Sequence, residues 1–76
     1  MSIQLLDAVV LVRDLPEQRL KAGDLGAVVH SHSAQALEVE FVLASGHTQA
    51  VVTLTPSDLR PVKAHDLVSV RTVGQA

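Results

Sequence analysis

The chain has no cysteine, tryptophan or tyrosine, and its one aromatic residue among Phe, Trp and Tyr is Phe41. Without cysteine, neither a disulfide nor a zinc–thiolate site can supplement the core. Without a cluster of aromatic rings, it lacks the groove that holds polyproline peptides. The longest unbroken apolar run is Ala8 to Val12, far short of the roughly 20 residues that span a bilayer as a helix. Met1-Ser2-Ile3-Gln4 has neither the basic nor the long apolar region of a secretory leader, so the expected compartment is the cytoplasm. Lys and Arg are scattered and the formal charge is -2. That argues against a general nucleic-acid binder, whose affinity comes largely from neutralising phosphates, and against an anionic membrane surface.

What the chain does have is Val, Leu and Ala: 47% of its 76 residues are hydrophobic. A chain of this length makes one domain at most and buries only about 60% of its unfolded surface. Its stability margin is thin unless a partner adds to it. Valine, branched at Cβ, suits a pleated surface and points to strands.

Asp7 to Arg13 is a compact apolar run whose length suits a strand buried on both faces. Asp14 to Asp24 carries Pro16, several charges and Gly23, and reads as a long loop. Loops of that length in small domains are often binding elements. Gly23 and Gly26 bracket a tight turn, where glycine tolerates positive φ or close backbone approach. Ala27 to His32 is the next strand, and Ser33-Ala34-Gln35 a short connection. In Ala36 to Val42, Leu37, Val39 and Phe41 point one way and Glu38 and Glu40 the other, so one face is in water. Ala44-Ser45-Gly46-His47 is a hairpin turn leading into Thr48 to Leu54. Thr55-Pro56-Ser57-Asp58 reads as a turn or a single 3₁₀ turn, started by Thr55 with Pro56 pre-set for the first position. Leu59 to Val62 closes the domain, confined to an edge or end by Pro61. The expected core is Leu5, Val10, Val28, Leu37, Val39, Phe41, Val52, Leu54 and Leu59. After it, Leu67 to Val73 alternates and is open to three fates: a sixth strand, a strand paired with a second copy, or a frayed end.

Five short antiparallel strands with a 3₁₀ turn before the last resemble an SH3-like barrel over residues 1–62, followed by a C-terminal tail over 63–76. Gly23-Asp24-Leu25-Gly26-Ala27-Val28 is similar to the KOW-type entry of ribosomal and transcription-factor barrels. The basic loop of those RNA binders is missing, because Ser31, Ser33, Ala34 and Gln35 stand where Lys and Arg are wanted. A wider resemblance runs through Asp7-Ala8-Val9-Val10-Leu11, Asp14-Leu15-Pro16-Glu17, Leu20 to Val29, Glu38-Val39-Glu40-Phe41 and Leu59-Arg60-Pro61. These blocks look like a family of very small bacterial proteins known only as a domain of unknown function. The resemblance implies a stand-alone domain without a known reaction, companion to another small gene in the manner of antitoxin or immunity pairs. It implies no functional residues.

Chemistry-bearing groups are few. His30 and His32, two apart on a strand, leave one face. They could hold a metal if His47, Glu38 or Glu40 converged on them, but spacing alone does not supply that convergence. Ser31, His47 and Asp58 contain the residue types of a hydrolytic triad, without a nucleophile elbow or oxyanion-hole motif. No Gly-Lys-Ser/Thr follows Gly26, so the glycines serve a turn and not a phosphate. No cofactor motif is present. The expectation is therefore a non-enzyme that binds a protein, with Asp14, Glu17 and Asp24 forming an acidic rim for a basic, toxin-like partner. A homodimer through the tail is compatible with this. The alternative is a KOW-like RNA- or ribosome-associated accessory barrel.

Overall fold

The computed structural model describes residues 3–74. Five strands, β1 (Ala8–Leu11), β2 (Leu25–Ser33), β3 (Ala36–Val42), β4 (Thr48–Leu54) and β5 (Leu59–Pro61), form one sheet in the order β4-β3-β2-β1-β5. Every neighbouring pair is antiparallel. The only helical elements described are two 3₁₀ turns, Pro16–Gln18 and Pro56–Asp58. None is long and apolar enough to cross a membrane. The all-β class and the five strands stand as expected, with the second 3₁₀ turn directly before β5.

The expected barrel closure is not made by strands. Among the described residues no ladder joins β4 to β5, so the sheet is open at both ends. The loop after β1 folds back onto the sheet instead. Leu15 and Leu20 pair with each other across it, and Leu20 joins the core at 3% exposure. The side chain of Gln49 on β4 donates to the carbonyl of Gln18 at 3.3 Å, tying that loop to the edge strand.

Alternation decides the faces. Leu37, Val39 and Phe41 are buried while Glu38 and Glu40 are half-buried on the other side, as the pattern requires. Val9 and Leu11 face the core with Val28, Leu54 and Leu59. Val10 is also buried, but on the opposite face, so β1 is covered on both sides. Val52 is half-buried against the core. Leu5 is a correction: it is 55% exposed. Gln4 to Leu6 form a tight bend in which Asp7 accepts a hydrogen bond from the Gln4 N–H at 2.8 Å and Leu6 has φ 72°. The bend turns Leu5 outward, and Ile3 packs against the core.

Gly26 has ordinary φ but no room. A Cβ there would lie 2.8 Å from Val39 Cγ1, 2.9 Å from Phe41 Cε1 and 3.0 Å from the Glu40 carbonyl oxygen. Two core side chains therefore pass over the place where any other residue would put its first carbon. Gly23 differs: it has φ 97° and donates to the Leu11 carbonyl at 2.7 Å, closing the long loop.

No strand forms after Pro61 among the described residues, so the optional sixth strand is not made. The reason is the edge on offer. β5 is three residues long and ends in Pro61, which has no N–H to give. The final two residues of the expected 63–76 tail, like Met1 and Ser2, lie outside the described part.

Candidate functional site

The loop between β1 and β2 is built from the inside by its own side chains. Asp14 Oδ1 accepts from the Ala22 N–H at 2.9 Å, and Asp24 Oδ2 accepts from the Lys21 N–H at 2.8 Å. Pro16 starts the short 3₁₀ turn, and Arg19 ends it in a left-handed conformation, φ 58°. These bonds place Asp14, Glu17 and Asp24 on one loop, as the sequence suggested, and give two of them structural work.

Asp24 has a further partner from far along the chain. Arg71 donates to it through Nε at 2.8 Å and again through Nη2, and also reaches the Arg19 carbonyl at 3.0 Å. Partial burial works against ionising Asp24. The hydrogen bonds from Arg71 and the Lys21 N–H, with the charge of Arg71, outweigh that and hold its carboxyl below the ordinary carboxylate value. Of the loop's three acids only Asp24 is ion-paired, to Arg71; the loop's own Arg19 and Lys21 make no salt bridge to Asp14 or Glu17 among the described residues. Glu17 is exposed and makes no ion pair among the described residues.

Arg71 belongs to a strap. Arg60 on β5 grips Asp66 through two parallel hydrogen bonds, 2.8 and 3.0 Å, and the Lys63 N–H adds a third at 2.7 Å. These push the Asp66 carboxyl down to about 2, the Arg60 hydrogen bond being the main cause. Between the two anchored ends run Leu67, Val68, Ser69 and Val70. Leu67 is 91% and Val70 95% exposed, and no backbone bond ties these residues to the sheet. An open groove of about 580 Å³ lies between strap and sheet, its lining including Val10, Leu25, Val42 and Val62 together with the charged Arg60 and Asp66. A smaller hollow of about 350 Å³ lies beside it, lined by Asp14, Pro16, Arg19, Leu20 and Arg71.

The other sequence candidates do not converge. His30 and His32 share a face, their rings 4.4 Å apart edge to face. His32 pairs with Glu38 at 2.9 Å, Glu40 accepts from Thr48, and His47 hydrogen-bonds to Ser45. Among the described residues no three His, Cys, Asp or Glu side chains gather in metal-binding geometry. Ser31 bonds to the Ser33 carbonyl. Asp58 is held by Arg13 at 2.7 Å and by the Thr55 N–H, which lowers its carboxyl. Each would-be triad member is thus engaged by a partner outside the triad. Sequence reading missed the Arg71–Asp24 and Arg60–Asp66 pairs. The alternation in Leu67 to Val73 marked the strap but not where it lies.

A family model matches residues 5–61. The chain belongs to that family, a domain of unknown function (DUF4926). No curated protein and no solved structure matches the chain. The match ends at Pro61, the last residue of β5. The sheet and the β1–β2 loop therefore lie within the matched span, while the strap residues that anchor to them lie beyond it.

Proposed function

We propose that this domain is a non-enzymatic protein-interaction module that receives its partner in the groove between sheet and strap. The observation that carries the reading is the strap itself: Leu67, Val68 and Val70 stand in water beside a groove whose lining includes Val10, Leu25 and Val62. Apolar surface of that kind on a small domain marks a place where another protein docks. The partner in this reading is a small protein made alongside the domain, in the arrangement of an antitoxin or immunity protein. It would present an apolar ridge with basic flanks. The apolar residues would supply affinity, while Glu17 at the loop tip, with Asp14 and Asp24 behind it, would guide encounter more than it strengthens binding.

The test is binding of the purified product of the neighbouring gene, followed by calorimetry. Val68→Lys should abolish binding at concentrations where the parent saturates, without lowering the melting temperature, because Val68 is exposed. Glu17→Lys should slow association by less than about tenfold. Unchanged affinity in Val68→Lys would remove the groove from the reading. Binding of RNA with a steep salt dependence, and of no protein, would replace it with the accessory-barrel reading.

A further inference from the structure

The sheet has two open edges, and they are guarded differently. β5 is three residues long and carries Arg60 and Pro61, two features that discourage pairing. β4 is seven residues long, Thr48-Gln49-Ala50-Val51-Val52-Thr53-Leu54, with no charge and no proline. No Asp, Glu, Lys or Arg occurs anywhere from Phe41 to Ser57. Among the described residues, β4 pairs only with β3, and none of its backbone groups bonds elsewhere. Every second residue of such a strand turns its N–H and C=O outward. Unguarded, that row is a template for another strand.

One protective feature exists, and it lies at one end. The ladder shifts between Phe41↔Ala50 and Val42↔Thr48, a bulge at Gln49. Gln49 is also the residue whose side chain is tied to Gln18. Past it, Ala50 to Leu54 keeps unbroken register with Phe41 to Leu37. The free, straight edge is therefore Ala50–Leu54, with Val52 at its centre.

We propose that this edge pairs with the same edge of a second copy of the chain, antiparallel about a two-fold axis at Val52, joining two sheets into one. The occupant is a second copy because the segment is complementary to itself. Rotation about Val52 sets Val52 against Val52, Val51 against Thr53 and Ala50 against Leu54 of the other copy. No like charges meet, whereas a charged edge strand would oppose its own charges in this arrangement. A charged strand from a different protein would find no charge on β4 to answer it. Val51 is 48% exposed on the outer face, so pairing also covers apolar area. Ala50 and Val52, half-buried against the core, come to the seam and make the two cores continuous. A two-fold interface of this kind is isologous and closes on itself, so it stops at a dimer.

The test is mass by light scattering and sedimentation equilibrium over a concentration series. The parent should approach twice 8.1 kDa as concentration rises. A Val51→Lys/Thr53→Lys variant places like charges opposite each other twice and should stay monomeric. The Val51→Glu/Thr53→Glu variant should also be monomeric, and an equal mixture of the two should recover the doubled mass. Should either double variant fail to fold, Thr53→Lys alone, at an exposed position, should still lower the association constant at least tenfold. Val70→Lys on the strap should leave the dimer intact. A parent that stays monomeric, a lysine variant that still dimerises, a mixture that does not recover, or a dimer broken by Val70→Lys would each overturn the proposal. The dimer is measured without any partner, and the edge variants at Val51 and Thr53 lie away from the groove, so its failure is separate from that of the binding reading.

Discussion

Ala8 to Pro61 and Val62 to Gly74 are held in place by different physics. The first region is a continuous antiparallel ladder around a fully apolar core with no buried polar group. The second has no ladder and almost no burial, and is held at its ends by Arg60 and Arg71. Burial and backbone pairing are cooperative and hard to remove piecemeal. Exposed ion pairs are individually weak and screened by salt. The sheet should therefore behave as one unit of high local stability and the strap as a separate unit of low stability. The family match covers the first kind of structure and stops before the second.

The largest effect should come from Gly26→Val. A Cβ at Gly26 meets the Glu40 carbonyl oxygen at 3.0 Å as well as two core side chains, and a backbone atom in a ladder cannot step aside. The variant should lose the dispersed amide spectrum of a folded domain. A parent-like spectrum would show that β2 and β3 are not packed as described. A side chain at Gly74, φ 84° and near Arg19, is also strained, but that strain should stay within the tail, which is free to relax.

Phe41→Ala should come next, costing about 3–5 kcal/mol in urea unfolding. For a domain this small that is a large share of total stability. Val70→Ala, on the strap, should fall within about 0.5 kcal/mol. Similar midpoints for the two variants would erase the distinction between the regions.

Ending the chain after Val62 removes both anchored carboxylate–arginine pairs but none of the ladder. The domain should still fold, with stability lowered by no more than about 2 kcal/mol through lost apolar cover over Val10 and its neighbours. Failure to fold would mean that the strap belongs to the core unit.

The smallest effect should be seen in acid. Asp66 titrates near 2, against 3.8 for a free carboxyl, and Asp24 is also lowered. Folded-state carboxyls with depressed values contribute attachment that is complete above the free value and lost as pH falls through the folded one. The strap should therefore loosen between about pH 4 and pH 2. Amide relaxation of Leu67 to Val70 should report this before β2 and β3 change. Arg71→Ala should produce part of the same loosening at neutral pH. Simultaneous loss of strap and sheet order on acidification would merge the two regions into one.

Strand identity and face were readable locally. A strand's side chains alternate with period two, so Leu37-Glu38-Val39-Glu40-Phe41 announces its buried and wet sides without any knowledge of its neighbours. Thr48 to Leu54 and the 3₁₀ turn at Pro56 were likewise set by valine, threonine and proline in a short span. Gly26 could be singled out as intolerant, but only the crossing of Val39 and Phe41 showed that the cause is contact and not φ. Leu20 escaped a periodic reading because it lies in an irregular loop, and Leu5 was misplaced because a tight bend reverses the direction an extended chain would give it. The acidic loop was legible as composition. Its electrostatics were not, because the Arg71 that pairs with Asp24 is 47 residues away. Local pattern thus determined which segments are strands and which of their faces is apolar. Tertiary structure alone decided how the loop covers the core, that the tail becomes a strap, and which charges remain free, because those outcomes depend on side chains brought together by the fold and not on neighbours in the chain.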